Sequence, residues 1–440
     1  MNYTSIPYNQ KIADILTFPN PFEPEEEFRG YIVDKGVMIV PRHTPSIVPT
    51  KLKFPNNPIA ISVSSKFSLR DYQVDPTTEM IDYLTGDSGE CLLRADTGSG
   101  KSFSLGYVIQ GVGQRTLVLA HLSMLTQQMY DELSSNINGD VRILDGKNKE
   151  LGDVNICTFQ FLHANPDLVD LLAKEIGFVV VDECENLLSD SRIAIFLKLQ
   201  AKYQLLMSAT PTRELIGRTP MIQYIVGNNI VLMEPNNQIE PKYVMLDYRD
   251  LSFRSPQNKL MYKSALTRFF LSSRIPTDIV TLCVDLSKVH GCIWIIIDSL
   301  KFQDKMVEML AAEGLHAEVI RGNTTKKERT RILKAIASKE CRYLLGSAPL
   351  SAGISAPELA FSFRVMPHSS SAELLNQQEG RLKRPAEFKD KQSCVWFDFA
   401  IEGSLAYNGK ERMRSYQKTG RLIFGKLQKI RERLKEILHV

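Results

Sequence analysis

Hydrophobic positions along the chain form two series of short apolar runs, and each series alternates with stretches of helical character. The first series consists of "CLLR" (91–94), "TLVLA" (116–120), "FVVV" (178–181) and "QLLM" (204–207). The second consists of "CIWIII" (292–297), "AEVI" (317–320), "RYLLG" (342–346), "FSFRV" (361–365) and "CVWF" (394–397). Short strands that alternate with helices are typical of a parallel sheet with crossover helices. The pattern therefore predicts an α/β protein with two such domains in tandem.

The chain ahead of the first series has a different pattern. Residues 1–30 are rich in Pro, Asn and Glu and predict irregular structure, whereas residues 31–64 alternate short β-type runs with turn residues. The stretch "NNQIEPK" (236–242) predicts a linker between the two α/β series. We therefore predict a small β-rich N-terminal domain over residues 1–64, a first α/β domain over 65–236 and a second over 237–440.

Composition narrows the class of protein without identifying it. The 440 residues are 43% hydrophobic and 24% charged, as in an ordinary globular protein. No uninterrupted apolar run approaches the 18 or so residues of a membrane span, and "MNYTSIPYNQ" lacks the pattern of a signal peptide. The seven dispersed cysteines predict reduced thiols and a cytoplasmic protein, in the host cell if a phage encodes it. A net charge of +4 does not by itself indicate a nucleic-acid partner.

The segment "CLLRADTGSGKSFSLGYVIQG" (91–111) predicts a phosphate-binding loop between a strand and a helix. It departs from G-x-x-x-x-G-K-[ST] because Ala95 stands at the first position, where a small residue is sufficient for the tight turn. Gly98 and Gly100 let backbone amides turn toward phosphate oxygens, Lys101 reaches the outer phosphates, and Ser102 offers a hydroxyl to Mg²⁺. A glycine-rich turn can also bind nothing. The strand–loop–helix context favours the nucleotide site.

Two adjacent carboxylates follow a second apolar run in "GFVVVDECENL" (177–187). An acidic surface turn after a buried strand is common, but a phosphate loop upstream makes that interpretation much weaker. We predict that Asp182 holds Mg²⁺, through water, and that Glu183 orients or deprotonates the attacking water.

These segments, in this order, resemble the superfamily 2 helicases from residue 66 to about 400. The motifs are "LRDYQ" (69–73), "ADTGSGKS" (95–102), "LVLAHLSMLTQQ" (117–128), "ICTFQFL" (156–162), "DECE" (182–185), "SAT" (208–210) and "QQEGRLKR" (377–384). The resemblance implies two RecA-like domains with ATP and Mg²⁺ bound between them. It also implies that Gln73 reads the adenine and that the residues around the nucleotide are Arg70, Gln73, Thr97, Gly98, Ser99, Gly100, Lys101 and Ser102.

The resemblance also assigns residues to hydrolysis and to its coupling with motion. Gln377, Arg381 and Arg384 are implied at the γ-phosphate, with the two arginines as fingers from the second domain. Ser208, Ala209 and Thr210 are implied to couple hydrolysis to motion. Two positions depart from the family: Glu185 replaces the His or Asp that ends motif II, and Ser355 replaces the Asp of motif V. We therefore expect Glu185 to reach Ser208 or Thr210 through a different contact.

The nucleic-acid contacts implied by the resemblance are sequence-independent phosphate contacts. They map onto His121, Leu122, Thr158, Gln160, Arg321, Thr324, Ser351 and Gly353. Residues 408–440 carry excess positive charge, and the apolar positions from Leu422 to Leu438 follow helical spacing. This pattern predicts a basic C-terminal helix that packs on the protein through its apolar stripe. We expect its basic face to contact nucleic-acid phosphates. The N-terminal domain holds Lys35, Arg42, Lys51 and Lys53, and we expect it to contact duplex DNA and contribute to junction choice. The alternative is that it only braces the first motor domain.

Within the superfamily, the chain is most similar to the phage UvsW-like branch-migration helicases, through the small N-terminal domain and "GVMIVPRHTP" (36–45). That similarity implies a monomer that remodels forks, Holliday junctions or R-loops in replication, recombination or repair, with branched DNA as partner and no membrane. Two alternatives stay open: an RNA helicase or RNA–DNA unwinding ATPase, and a double-stranded DNA translocase subunit that does not unwind. A kinase or transporter ATPase would not carry "SAT" and "QQEGRLKR".

Overall fold

The structure is a computed structural model in which residues 3–19, 27–46, 58–95, 99–209, 218, 220–234, 241–289, 291–347, 358–365, 394–419 and 421–438 are described. The chain forms two compact units, residues 1–236 and residues 237–440. Each unit is built around its own parallel seven-stranded sheet.

The N-terminal part of the first unit is small and mostly β. Its elements are β1 (Tyr3–Pro7), α1 (Gln10–Ile15), β2 (Thr17–Pro19), β3 (Glu27–Arg29), β4 (Ile32–Asp34), β5 (Val37–Pro41) and β6 (Ser64–Ser65). Strands β1, β5 and β4 form an antiparallel sheet in that order, and β2 pairs with β3.

These N-terminal residues share a hydrophobic core with the rest of the first unit. Leu16, Phe28 and Met38 are fully buried in the same cluster as Phe196 and Met221. The backbone amide of Arg29 donates to Asp190 Oδ1 at 2.7 Å, and the guanidinium of Arg218 lies 4.7 Å above the Phe28 ring. The N-terminal part is therefore held by apolar packing against helices that follow much later in the chain.

The remainder of the first unit alternates helices and strands. Its elements are α2 (Asp71–Thr85), β7 (Glu90–Ala95), α3 (Lys101–Val112), β8 (Thr116–Ala120), α4 (Ser123–Asn136), β9 (Ile137–Asn138), β10 (Val141–Ile143), β11 (Val154–Thr158), α5 (Phe159–His163), α6 (Pro166–Glu175), β12 (Phe178–Asp182), a 3₁₀ turn (Cys184–Leu187), α7 (Asp190–Leu199), β13 (Tyr203–Ser208), α8 (Pro220–Val226) and β14 (Ile230–Met233). The sheet order is β10-β11-β8-β12-β13-β7-β14, and every pairing within it is parallel.

The second unit repeats this plan. Its elements are β15 (Pro241–Phe253), a 3₁₀ turn (Lys259–Met261), α9 (Tyr262–Ser272), α10 (Ile275–Leu286), β16 (Cys292–Ile296), α11 (Leu300–Ala312), β17 (Ala317–Ile320), α12 (Lys326–Ala337), β18 (Tyr343–Gly346), β19 (Leu359–Arg364), β20 (Cys394–Gly403), α13 (Ala406–Thr419), β21 (Arg421–Gly425), α14 (Leu427–Glu432) and α15 (Leu434–Leu438). Its parallel sheet has the order β17-β18-β16-β19-β20-β15-β21.

The predicted architecture is confirmed: two tandem RecA-like α/β units, with a small β region at the N-terminus. The central strands are buried on both faces, as all five residues of β8 and of β16 show, so they appear in the sequence as continuous apolar runs. No helix among the described residues has both the length and the apolar character to cross a membrane. All seven cysteines are free and buried.

The single basic helix predicted for the C-terminus does not form. Leu422 and Ile423 lie on β21, which pairs in parallel with β15 and adds the last strand to the sheet. The short apolar run fits a strand as well as a helix turn, and pairing with a strand about 180 residues earlier decides between them. Part of the positive charge is also paired, because Arg421 and Arg433 both bond Glu436 and Arg431 bonds Asp285.

Candidate functional site

The predicted chemical groups of the first unit follow the carboxyl ends of neighbouring strands. Parallel pairing places Asp182, the last residue of β12, level with Met207 of β13, and Ser208 level with Arg94 of β7. The phosphate loop follows β7, and His121 follows β8. Ligands of open α/β sheets bind outside the carboxyl ends of the strands. The site is therefore an edge of one sheet, assembled by the register of β7, β13, β12 and β8.

The described end of the phosphate loop opens helix α3. Gly100 has φ +79°, a left-handed conformation that glycine adopts without strain, and Lys101 and Ser102 are the first two residues of the helix. No described side chain caps this helix end. Its first amides and the positive end of the helix dipole suit a phosphate group.

Gln73 and Tyr72 support the loop from behind. The Gln73 side-chain amide is buried and donates to the carbonyls of Ser99 at 3.0 Å and Gly100 at 3.2 Å, and the Tyr72 hydroxyl donates to the Ser99 carbonyl at 3.0 Å. Gln73 Oε1 accepts from the amide of Arg70 at 3.0 Å. A Cβ atom at position 100 would lie 2.4 Å from Gln73 Nε2, so a larger residue there would displace the Gln73 amide from these carbonyls. Adenine recognition by Gln73 stays a prediction.

Asp182 has the environment of a cation ligand. Burial raises the pKa of its carboxyl to about 6, and the positive charge of Lys101 and the amide of Glu183 offset only part of that effect. A divalent cation would restore the ionised form. Hydroxyl and carboxylate oxygens are the ligands that Mg²⁺ prefers, so Ser102 and Asp182 fit the ion that the sequence predicts.

Glu183 has a strained backbone and a defined neighbour. Its φ is +50°, in the left-handed region that non-glycine residues rarely adopt. Such strain is concentrated at functional positions because the surrounding structure has to hold it. His121 Nδ1 lies 2.9 Å from Glu183 Oε2, and both side chains are less than one-fifth exposed. His121, predicted as a nucleic-acid contact, therefore touches the predicted general base.

Glu185 reaches Ser208, as the departure in motif II led us to expect. The Ser208 hydroxyl donates to Glu185 Oε2 at 2.5 Å, and both residues are buried. The contact joins the 3₁₀ turn after β12 to the end of β13. Ala209, the next residue, is half-buried. Glu185 thus makes a direct hydrogen bond to Ser208 from the position where the family has His or Asp. Its part in coupling stays a prediction.

The other predicted nucleic-acid residues divide into two groups. On the first unit, Leu122 and Gln160 are exposed, while the Thr158 hydroxyl caps α5 by accepting from the amide of Phe161 at 3.1 Å. On the second unit, the backbone amide of Arg321 donates to Thr324 Oγ1 at 2.8 Å. The guanidinium of Arg321 already bonds Gln303 and Asp304, so a phosphate would have to compete for it.

Eight predicted site residues lie outside the described part of the chain and stay predictions. They are Thr97, Gly98, Thr210, Ser351, Gly353, Gln377, Arg381 and Arg384.

The sequence interpretation missed a buried polar cluster in the second unit, here called the Asp398 cluster. Asp398 lies within β20 and accepts from Arg412 Nε at 2.6 Å and from the Tyr416 hydroxyl at 2.7 Å, both on α13. All three residues are at most 2% exposed, and the Tyr416 ring stacks on Tyr243 with centroids 4.4 Å apart. The available signal was an acidic residue inside the apolar run "CVWFDFA".

Comparison with known families follows the division into two units. Residues 66–213 match the family described as "Type III restriction enzyme, res subunit", and residues 277–386 match "Helicase conserved C-terminal domain". The chain carries the two helicase domains of superfamily 2. The two matches cover the motifs from "LRDYQ" to "QQEGRLKR".

Individual relatives of these helicase domains are distant. The chain is 24% identical over 339 residues to the "DNA 3'-5' helicase XPB" of Kineococcus radiotolerans, covering 72% of this chain and 58% of that protein. It is 26% identical over 338 residues to the "Putative DNA 3'-5' helicase Rad25" of Halobacterium salinarum, covering 74% and 54%. It thus spans little more than half the length of these relatives. The solved structure of S. cerevisiae Dbp5 bound to RNA and ADP BeF3 has the same fold, with a TM-score of 0.57, 14% identity, and coverage of 84% of this chain and 98% of Dbp5.

Proposed function

We propose that this helicase-domain protein is an ATP-dependent DNA helicase or translocase that remodels branched DNA. The observation that supports it best is the set of groups on one sheet edge: Lys101 close enough to affect the pKa of Asp182, Glu183 beside it, and Glu185 bonded to Ser208. This set suits hydrolysis of a nucleoside triphosphate coupled to movement of the strand that carries Ser208.

In this proposal, different residues of the chain carry the separate tasks of hydrolysis. The α3 amides and Lys101 bind the phosphates. Ser102 and Asp182 would hold Mg²⁺, which would supply positive charge next to the phosphoryl oxygens. Glu183 accepts a proton from the attacking water. Arg381 and Arg384 stay predicted as the fingers that stabilise the transition state, where such residues contribute about 10³–10⁵ in rate.

DNA is proposed as the polymer because the relatives of both units include proteins named as DNA helicases. Their names also give a 3'-5' direction, which we propose for this chain. Branched DNA is proposed from the predicted resemblance to UvsW-like proteins, and so is a monomer that acts in the cytoplasm. An RNA substrate is the second candidate, since the Dbp5 structure contains RNA.

The decisive experiment compares wild type with Lys101→Ala. ATP turnover is measured with no polymer, single-stranded DNA, forked DNA, a four-way junction and RNA of equal length. We expect stimulation by DNA in the wild type, greatest with branched DNA, and no turnover in the variant, which still binds DNA. Greatest stimulation by RNA would favour the second candidate, and turnover in Lys101→Ala would contradict the site.

The N-terminal part is proposed to brace the first unit rather than to select the junction. Arg42, one of its predicted phosphate contacts, donates to the carbonyls of Asp87 at 3.2 Å and Ser88 at 2.8 Å, which fixes it to the turn before β7. Lys35 is exposed, while Lys51 and Lys53 lie outside the described residues. The test is a triple Lys35, Lys51 and Lys53→Ala variant: unchanged preference for junctions over single strands supports the brace, and loss of that preference contradicts it.

A further inference from the structure

The contact between His121 and Glu183 joins two parts of the site that have different tasks. Their nearest side-chain atoms are 2.9 Å apart, and the exposed fractions of the two side chains are 18% and 17%. They come from adjacent strands, since β8 and β12 pair with Leu119 level with Val181. Nδ1 makes no hydrogen bond of good geometry, so the two side chains are in contact, and a small rotation of the imidazole would direct its N–H onto the carboxylate.

The sheet order fixes the side from which His121 approaches. Strands β13 and β7, which lead to Ser208 and the phosphate loop, lie on one side of β12, whereas β8 and β11 lie on the other. His121 therefore meets Glu183 from the side away from the phosphate loop. A carboxylate held toward that side would lie further from a water that attacks a γ-phosphate bound at the phosphate loop.

The surroundings of His121 are open to an extended anionic partner. Leu122 beside it is 39% exposed, and α4 begins at Ser123 with no described side-chain cap on its first amides. Gln160, after the next strand, is exposed. Phosphates commonly bind backbone amides at helix N-termini together with polar side chains. A phosphate bound along this part of the edge would compete with Glu183 for His121.

We infer that His121 is a positioning residue that holds Glu183 toward β8 when no polymer is bound and releases it when a nucleic-acid phosphate takes its place. The inference rests on the proposed function. Once released, Glu183 accepts a proton from water, the water oxygen bonds to the γ-phosphorus, and the bond to the leaving ADP breaks, which yields ADP and phosphate. The rate of hydrolysis would then depend on bound nucleic acid through the His121 side chain.

The first test measures binding without nucleotide, so that it does not depend on hydrolysis. If polymer and Glu183 compete for His121, removing the carboxylate must tighten binding, because coupling between two sites is reciprocal. We expect Glu183→Gln to bind fluorescent single-stranded DNA about fivefold or more tightly than wild type, at the lower end of typical couplings. The same substitution in a His121→Ala background should give no gain. A gain of equal size in both backgrounds reflects lost negative charge alone and overturns the inference.

The second test measures single-turnover hydrolysis at saturating Mg·ATP, with and without single-stranded DNA. His121→Ala should raise the rate without DNA about fivefold or more, so that the stimulation by DNA falls toward one. His121→Gln retains a hydrogen-bond donor, so its hydrolysis rate without DNA should be closer to that of wild type. His163→Ala is the matched control, because it removes an exposed histidine of the same unit that lies outside the proposed site, and it should change neither rate.

The outcomes separate the inference from the function on which it rests. His121→Ala could lower the hydrolysis rates with and without DNA equally and leave the melting temperature unchanged. That result would make His121 a structural residue and overturn the inference. If His121→Ala melts early, His121→Asn, whose shorter side chain does not reach Glu183, replaces it as the second background, and an equal gain from Glu183→Gln in both backgrounds overturns the inference. A wild type that hydrolyses ATP without any response to polymer overturns the inference but not the ATPase site, whereas one that hydrolyses no ATP overturns the proposed function.

Discussion

Asp182 and Asp398 are both carboxylates on strands of parallel sheets, and their environments are opposite. Burial raises the pKa of Asp182 to about 6, and Lys101 offsets only part of that rise. Burial also acts to raise the pKa of Asp398, but Arg412, Arg364 and Tyr416 together hold it below its usual value. Among the described residues, the groups around the first carboxylate compensate its burial only in part, whereas those around the second compensate it in full.

The comparison separates two reasons for placing an acid in a sheet. A desolvated carboxylate with too few donors is costly unless a ligand completes it, which makes Asp182 a candidate for function. A desolvated carboxylate with several donors holds its neighbours in place, and Asp398 fixes α13 to β20. Removing Asp182 should therefore lower activity, whereas disrupting the Asp398 cluster should lower stability.

The largest expected effect is the loss of turnover in Asp182→Asn. An amide holds Mg²⁺ poorly, and the ion supplies several kcal/mol of transition-state stabilisation, so we expect a fall of about a thousandfold or more in ATP hydrolysis. The free energy of unfolding should change by less than about 1 kcal/mol or increase, because a poorly compensated charge is removed. Turnover within tenfold of wild type would place the cation elsewhere.

Arg412→Ala should have the largest effect on stability. It leaves Asp398 buried with its main partner gone, which typically costs about 3–5 kcal/mol. The only two tryptophans, Trp294 and Trp396, are both buried in the second unit, so tryptophan fluorescence during urea denaturation follows that unit selectively. Arg414→Ala removes an exposed arginine of the same helix and should change stability by no more than about 0.5 kcal/mol. Equal effects of the two substitutions would refute a structural role for the cluster.

Tyr416→Phe should cost less, about 1.5–3 kcal/mol, because it removes one hydrogen bond to a charged group and keeps the ring that stacks on Tyr243. The same denaturation measurement applies, with the exposed Tyr407→Phe as control. A loss comparable to that of Arg412→Ala would mean that the hydroxyl contributes as much as the guanidinium to holding Asp398.

The smallest expected effect is on the pH dependence of stability. Because the folded-state pKa of Asp398 is lowered, its ionised form stabilises the second unit above the unfolded-state pKa, about 4. That contribution is lost as the pH falls through the lower, folded-state value. Denaturation of the second unit should therefore become easier with acidification in wild type, and Asp398→Asn should show a shallower dependence. Identical slopes in the two proteins would contradict the lowered pKa.

The sequence allowed prediction of those parts of the fold that are set by burial alone. The strand before the phosphate loop and the "VVV" strand before Asp182 are buried on both faces, so their apolar runs are continuous. The approach of Lys101 to Asp182 followed from the carboxyl edge that parallel strands share. The contact of Glu185 with Ser208 could be anticipated because a carboxylate stood where the family has a shorter or different side chain.

Features that depend on contacts between distant parts of the chain could not be predicted in this way. Strand β21 depends on pairing with β15, and residues 421–425 carry no pattern that excludes a helix. The contact between His121 and Glu183 depends on the rotamers of two side chains after adjacent strands, which spacing does not specify. The donors to Asp398 come from a helix that begins eight residues later, so only the unusual acid within an apolar run marks the position.

The position of the N-terminal residues in the core of the first unit has a consequence for synthesis on the ribosome. The amide of Arg29 bonds a carboxylate 161 residues further along the chain, and Phe28 packs near residues that follow later still. At the usual elongation rate, roughly 10–30 s separate these partners. During that interval the apolar side chains of the N-terminal part lack the partners that α7 and α8 supply, so they are exposed to aggregation and to chaperones. The first unit can therefore complete its fold only after translation has passed its last helix.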